Sequence, residues 1–570
     1  MNNPPWWQTA VFYQIYPRSF ADGNGDGIGD FRGMISRLDY LKDLGVDAVW
    51  ISPCFPSPLI DVGYDISNYV DIAPEYGTLQ EFDEFLEGAH RRGIRVILDL
   101  VLNHTSHLHP WFIESCSNRY NPKRDWYIWQ NGKEGSPPNN WDSSFGGSAW
   151  EYDPQTDQYY YHFFFKEQPD LNWHNPEVRQ AMWDAVRFWL ERGVDGFRLD
   201  AIGTIFEDPT LKDNMAPMSF TELQAAWVHA ETDEDRTRLE EVGEALFKLQ
   251  TDLPEVHGLM KELRQVVDEY PEKVLVGENE MIEYYGSGDD ELHLVFNFPL
   301  MRTDCLTPAW VLANQKERLD ALPPGAWPCN TLGNHDCSRI MSHYGDGEHD
   351  QEWARLSAAL ILTLQGTPFL YNGEEIGMTD FYLEDPKAFR DNLSTLAYQA
   401  MTSLWGVPPD EALKKAALFG RDKNRTPMHW ENAPEAGFNR MAVQPWLPIN
   451  PNYAEGVNVA DQERDPDSLL NFYKKILKVR KDNPALNLGI FTPVQTDSLE
   501  CLVFLRKDLE SGQTCLVVLN LSSQKIESQL NIRFQQTKPL FSSVLQQETG
   551  DLPECFEFKP FEIYIAEIIH

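Results

Sequence analysis

Positive charge is scarce in this chain: 48 lysines and arginines stand against 88 aspartates and glutamates, for a formal charge of −40. So acidic a surface counts against nucleic acid or an anionic membrane as a partner and suits a neutral substrate. Long apolar runs are missing, so no segment reads as a membrane span. The opening MNNPPWWQTAVFYQIYPRSF has no basic stretch followed by an apolar one, and no secretory leader is expected. Cysteines are few and show no metal-like pairing: Cys54, Cys116, Cys305, Cys329, Cys337, Cys501, Cys515 and Cys555. Free thiols in a reducing cytoplasm are the expectation. Low-complexity linkers and tandem repeats are absent too.

What the chain does have is a rhythm. VFYQIYPRSF, AVWISPCF and RVILDLVLNH read as short apolar strands, and FRGMISRLDYLKDLG and LQEFDEFLEGAHRRG as the helices between them, closed by Gly45 and Gly93. The pattern pauses over 105–174, rich in Trp, Tyr, Asn, Gly and Pro and without helical period, which suggests an inserted small domain. It resumes with the helix from Val178 to Gly193, then GFRLD, VLVGENE, LHLVFNF, CNTLGNHD and FLYNGEEIGM. Eight strands with intervening helices predict a (β/α)8 barrel formed by 1–104 and 175–486. From 487 to 570 the alternating runs CLVFLRK, TCLVVLNLS and QLNIRF predict a C-terminal antiparallel β-sandwich.

Chemistry in such a barrel gathers at the C-terminal strand ends. Those ends carry Asn103 and His104, Arg198 and Asp200, Glu278, and His335 with Asp336. In GFRLD, alternation puts Arg198 and Asp200 on one face; the guanidinium would keep the carboxylate ionised, as a nucleophile requires. A buried structural ion pair is the plainer reading of that pentapeptide alone.

DLVLNH (99–104), GFRLDAI (196–202), VGENE (276–280) and LGNHD (332–336), with QPDLN (168–172), together resemble the ordered signatures of the α-amylase family of glycoside hydrolases, in its α-glucosidase and oligo-1,6-glucosidase branch. The resemblance covers nearly the whole chain. It implies a retaining mechanism with Asp200 as nucleophile, Glu278 as acid and base, and Asp336 as the carboxylate that stabilises the transition state. Ionised Asp200 and Asp336 would keep the proton on Glu278; Glu280 is the alternative acid on the same strand. His104 and His335 would hold sugar hydroxyls and Arg198 would orient Asp200. The implied activity is removal of terminal non-reducing α-linked glucose from short α-glucosides, by a monomer or homodimer. Glucosyl transferases and isomerases share the machinery, but the RLDRD of the sucrose isomerases is replaced here by ERLDALPPG (317–325), expected after the fifth strand's helix.

Loops supply the rest. DGNGDGIGD places Asp22, Asn24, Asp26, the Ile28 carbonyl and Asp30 at every second position among glycines, the spacing of a structural calcium (Ca2+) loop, or else of an Asx-rich turn. Such a loop occurs at this place in the branch resembled. By the same resemblance Asp65, beside Tyr64, pairs with Arg425 to close the pocket beyond one glucose, with Arg421 as the competing partner. Phe145 and Phe165 offer ring faces to the sugar or belong to the inserted domain's core. Ala201, next to the nucleophile, would set linkage preference.

Overall fold

The structure, a computed structural model, describes residues 4–228, 230, 232–441, 443–530, 536–544, 550–551 and 556–569. Cys555 and parts of the expected C-terminal domain lie outside the described residues.

Eight strands form one parallel sheet: β1 (Phe12–Ile15), β2 (Ala48–Ile51), β3 (Arg95–Val101), β4 (Gly196–Asp200), β5 (Val274–Gly277), β6 (Leu294–Val295), β7 (Cys329–Thr331) and β8 (Thr367–Tyr371). Bonded neighbours run β7–β8–β1–β2–β3–β4–β5–β6, so the last strand pairs with the first, as a (β/α)8 barrel requires. Side chains span the β6–β7 seam, where Asn297 donates to Asn330 across 3.1 Å.

Alternation sorts the side chains. Phe197 and Leu199 face the helices, with Val49 and Leu98 in the same core. Phe12, Trp50, Ile97, Val276 and Phe369 fill the barrel interior, with Phe12 stacked on Phe369 at 4.4 Å. Each such buried side chain contributes about 1.5–3 kcal/mol. Arg198 lies over the Trp50 ring, 5.0 Å from its centroid, where the apolar interior gives way to the polar rim.

The helices begin and end for local reasons. Thr78 and Glu81 form a capping box at the start of Leu79–Arg91. Asn175 caps Pro176–Arg192, and Gly193, at φ 106°, closes it. Several expectations need correction. The first strand stops at Ile15, because Pro17 starts a short helix over Pro17–Phe20. The first long helix is two, Phe31–Ser36 and Leu38–Leu44, broken at Arg37. The 105–174 segment holds a helix, Pro110–Ser117, besides its three-stranded antiparallel sheet (Trp129–Gln130, Trp150–Asp153, Gln158–Tyr161). ERLDALPPG ends the helix Pro308–Ala321, which follows β6 and not β5; its Arg318 is buried and donates to the carbonyls of Glu280, Val295 and Phe296.

Beyond the helix Leu469–Asp482, a six-stranded antiparallel sheet is centred on Cys501–Lys507, Thr514–Asn520 and Ile563–Ile569. A two-stranded sheet pairs Ile526–Ser528 with Phe556–Phe558. No helix among the described residues is long and apolar enough to cross a membrane.

Candidate active site

Register builds the centre of the site. Asp99 on β3 lies beside Arg198 on β4, which lies beside Val276 on β5, two residues before Glu278. Arg198, 1% exposed, is therefore surrounded by carboxyls. Its Nη1 donates to Asp99 at 2.8 Å and to Asp200 at 2.6 Å, and its Nη2 reaches Glu278 at 2.8 Å. A buried unpaired charge costs several kcal/mol, so this arrangement stands or falls together.

One electrostatic expectation is reversed. Burial, followed by the Glu278 carboxylate, pushes the Asp200 carboxyl well above the usual carboxylate range, against the pull of Arg198. Asp99 is likewise pushed up to about 6, mainly by burial. Asp99 and Asp200, which share one guanidinium, titrate as a pair.

β5 ends at Gly277, so strand alternation does not extend to Glu280. Glu278 turns inward, where its Oε2 accepts the Ala201 N–H at 2.8 Å. Glu280 turns outward to Arg302 at 3.0 Å. Ala201 makes its contact from the left-handed region, at φ 44° and ψ 43°, an uncommon place for a residue with a Cβ.

Asp336 occupies the opposite wall. Burial would raise its carboxyl, but the guanidiniums of Arg425 and Arg421 outweigh it and hold it well below the usual range. Arg425 Nη2 is 2.5 Å from Asp336 and its Nε donates to the His335 carbonyl at 2.9 Å. His335 is kept neutral by burial, lies between Gln14 and the Tyr64 hydroxyl, and stacks on the Tyr64 ring. His104 is lowered to about 4 by burial. Its Nε2 lies 2.9 Å from Gln168 and 3.2 Å from the Tyr64 carbonyl.

The expected Asp65–Arg425 pair is not formed. Asp65 is fully buried and accepts from Ser57 and from the Ile60 and Asp61 N–H groups, so it shapes its own loop. The carboxylate presented to an arginine is Asp61, which pairs with Arg421 at 2.8 Å. Arg421 is also gripped by Asp391, through its Nε at 2.9 Å and Nη2 at 2.8 Å. Gln168 ties Asp61 to His104, donating to Asp61 at 3.2 Å. Phe145 and Phe165 pack together at 4.5 Å; Phe165 is buried, while the half-buried Phe164 is the ring set edge-on against His104.

Sequence reasoning thus passed over Asp61, Asp99, Phe164, Gln168 and Asp391 as site residues. Asp99 was recoverable, because it shares the inward face of β3 with Ile97. Nothing in DVGYD distinguishes Asp61 from Asp65.

The loop before the first barrel helix folds on itself. Asp22 accepts from Gly25 and Gly27, Asn24 and Asp26 from backbone N–H groups two residues on, and Asp30 caps the helix Phe31–Ser36 through Gly33. The donors are all oxygens, and burial followed by Asp22 raises the Asp30 carboxyl above its usual range despite three N–H bonds. A cation would relieve that charge, so the set fits calcium chemically. The carboxylates do not converge: among the described residues no three acidic, His or Cys side chains form a metal-holding group.

Comparison with known proteins agrees with this geometry. The chain is 40% identical to an oligo-1,6-glucosidase of Parageobacillus thermoglucosidasius, with 99% of each covered. It is 42% identical to a probable alpha-glucosidase of Rhizobium meliloti, over 93% of this chain and 91% of that one. Among solved structures, a trehalulose synthase from Pseudomonas mesoacidophila superposes with a TM-score of 0.87 at 34% identity, covering 100% of both chains. A trehalose-6-phosphate hydrolase from Bacillus licheniformis does so with a TM-score of 0.84 at 36% identity, covering 99% and 100%. The alpha amylase catalytic domain model matches residues 14–489, and the chain belongs to the alpha-amylase family.

Proposed function

We propose that this protein is a retaining, exo-acting α-glucosidase that releases terminal non-reducing glucose from short α-linked oligosaccharides. The observation that carries the reading is the single guanidinium of Arg198 shared by Asp200 and Glu278 at the strand ends. Two carboxyls on one guanidinium suit the ~5 Å spacing of a retaining pair rather than the ~6.5–9.5 Å of an inverting one.

In the first step an Asp200 oxygen bonds to the anomeric carbon as the glycosidic bond breaks. The bond's electron pair leaves with the aglycone oxygen, which takes the proton of Glu278. Positive charge developing on the sugar favours the anion at Asp200, the group that bonds to it. Water then attacks the same carbon, Glu278 takes its proton, and the Asp200 ester bond breaks. Asp336, held anionic by Arg425, stabilises the oxocarbenium-like charge and anchors hydroxyls. Neutral His104 and His335 hydrogen-bond the sugar. Asp61 and Arg421 close the pocket beyond one glucose, which supports exo action. Proton NMR of p-nitrophenyl α-glucoside hydrolysis tests this: α-glucose appears first, and β-glucose as first product rejects it, as does rapid internal cleavage of amylose.

Another sugar in place of water gives transglucosylation at high sugar concentration. An isomerase reading draws on the likeness to a trehalulose synthase. Sucrose separates the two, since hydrolysis gives glucose and fructose and isomerisation gives a rearranged disaccharide.

Calcium would be held by Asp22, Asn24, Asp26, the Ile28 carbonyl and Asp30, and would supply charge neutralisation in a structural role. Chelation then lowers thermal stability by about 3–4 kcal/mol at several-hundred-fold saturation and leaves the low-temperature rate unchanged; an unchanged melting temperature rejects calcium. The seven described cysteines are free, in keeping with a cytoplasmic enzyme, monomeric or homodimeric, working on neutral sugars.

A further inference from the structure

Arg425 holds Asp336 only as well as its own backbone is held. Its guanidinium is fully buried and bonded to both Asp336 and the His335 carbonyl, so a shift of its main chain must pull on those contacts. The Arg425 carbonyl accepts from the Ser19 hydroxyl, which is fully buried in the short helix Pro17–Phe20 after β1. That hydroxyl also accepts the indole N–H of Trp446 at 2.9 Å, so its one proton is committed to Arg425. The Met428 N–H donates to the Ser19 carbonyl at 2.7 Å, and Ser19 thus grips the segment 425–428 at both ends.

Trp446 is itself fixed from several sides. Its backbone N–H donates to the Gly27 carbonyl at 3.0 Å, and its carbonyl accepts from Arg390 Nε at 3.2 Å. Its ring lies against Tyr16, with 6.1 Å between centroids, and the Arg18 guanidinium lies 5.1 Å from it. Tyr16 in turn stacks on His335 at 5.8 Å, and its hydroxyl accepts from Arg425 at 3.4 Å. An indole N–H on a buried hydroxyl, and that hydroxyl on a buried carbonyl, make a chain in which each polar group has its partner.

We propose, on the reading of Asp336 given above, that Ser19 and Trp446 are positioning residues for the glucoside reaction. Trp446 orients the Ser19 hydroxyl, Ser19 holds the Arg425 backbone, and the Arg425 guanidinium is thereby kept on Asp336. Asp336 acts on charge that develops only in the transition state, so loosening this chain lowers kcat and leaves KM nearly alone.

The test is a double-mutant cycle on p-nitrophenyl α-glucoside, joined to crystal structures of the variants. Ser19→Ala lowers kcat about 10–100-fold, the scale of a misplacement near 1 Å, with KM within about twofold. In an Asp336→Asn background the same change costs less than about twofold, because the contact it serves is gone. Trp446→Phe keeps a ring against Tyr16 and removes the N–H; it lowers kcat about threefold, and this loss too vanishes in Asp336→Asn. In crystals of Ser19→Ala, which need no substrate, Arg425 Nη2 withdraws beyond about 3.5 Å from Asp336. Equal losses in both backgrounds, as a residue serving only the fold would give, overturn the proposal, and so does an unmoved guanidinium. If Ser19→Ala does not fold, Trp446→Phe takes its place in both measurements under the same criteria. A withdrawn guanidinium with wild-type kcat instead rejects the role given to Asp336, so the two failures are told apart.

Discussion

Two sets of arginines mark opposite sides of the barrel. At the C-terminal rim, Arg198 holds Asp99, Asp200 and Glu278, and Arg421 holds Asp61 and Asp391. At the junction with the C-terminal sheet, Arg480 and Arg506 are buried as deeply as Arg198 but face carbonyls only. Arg480 donates to Leu362, Gly366 and Leu486, and Arg506 to Thr363, Gly489 and Asn487. Leu362 and Thr363 end the helix Asp350–Thr363, whose C-terminus carries partial negative charge. The titration follows the partners: the carboxylates hold Arg198 well above the usual range, whereas burial lowers Arg480 to about 10. Burial alone therefore does not distinguish a reacting arginine from a structural one. Facing carboxylates that must change protonation state does.

Paired substitutions sharpen that contrast. Arg198→Met strands the buried carboxyls of Asp99 and Asp200 and the half-buried one of Glu278, and is expected to cost about 3–5 kcal/mol of stability and to abolish turnover. Arg480→Met leaves carbonyls unsatisfied, for about 1–3 kcal/mol, with kcat and KM near wild type. Denaturant melts and kinetics on both proteins check this; a catalytic defect in Arg480→Met would erase the distinction.

A smaller effect lies beside the nucleophile. Ala201 presents its N–H to Glu278 from a left-handed backbone, where a β-branched residue adds about 1–2 kcal/mol of strain. The wild type is expected to cleave α-1,4 disaccharides, with α-1,6 and α-1,3 activity alongside. Ala201→Val then shifts the kcat/KM ratio toward isomaltose by roughly 10–200-fold, the range available to a few methyl groups in a pocket. Exclusive isomaltose cleavage by the wild type, unmoved by the substitution, would remove the steric argument.

The barrel and its polar rim were legible because period-2 alternation and strand-end position dictate where Arg198, Asp200 and Asp336 point. Where the chain leaves regular structure that logic ends. Glu280 seemed to share a face with Glu278 only while β5 was thought to continue, and Asp65 matched a pattern that Asp61 completes through a loop turn. Arg421 finds Asp391 across 30 residues, a contact no local spacing announces. The protonation of Asp200 was misread for the same reason, since desolvation depends on the assembled barrel and not on its neighbour in GFRLD.

The central claim, that Asp200 attacks while Glu278 handles the proton, is tested most directly by Glu278→Gln assayed on two α-glucosides. With maltose, whose leaving oxygen needs a proton, kcat/KM should fall by about 10²–10⁴-fold. With 2,4-dinitrophenyl α-glucoside, which needs none, a burst of dinitrophenol should be followed by accumulation of a glucosyl ester on Asp200, visible by mass spectrometry of the intact protein. Equal losses on both substrates with no ester, or that pattern from Glu280→Gln in its place, would contradict the account.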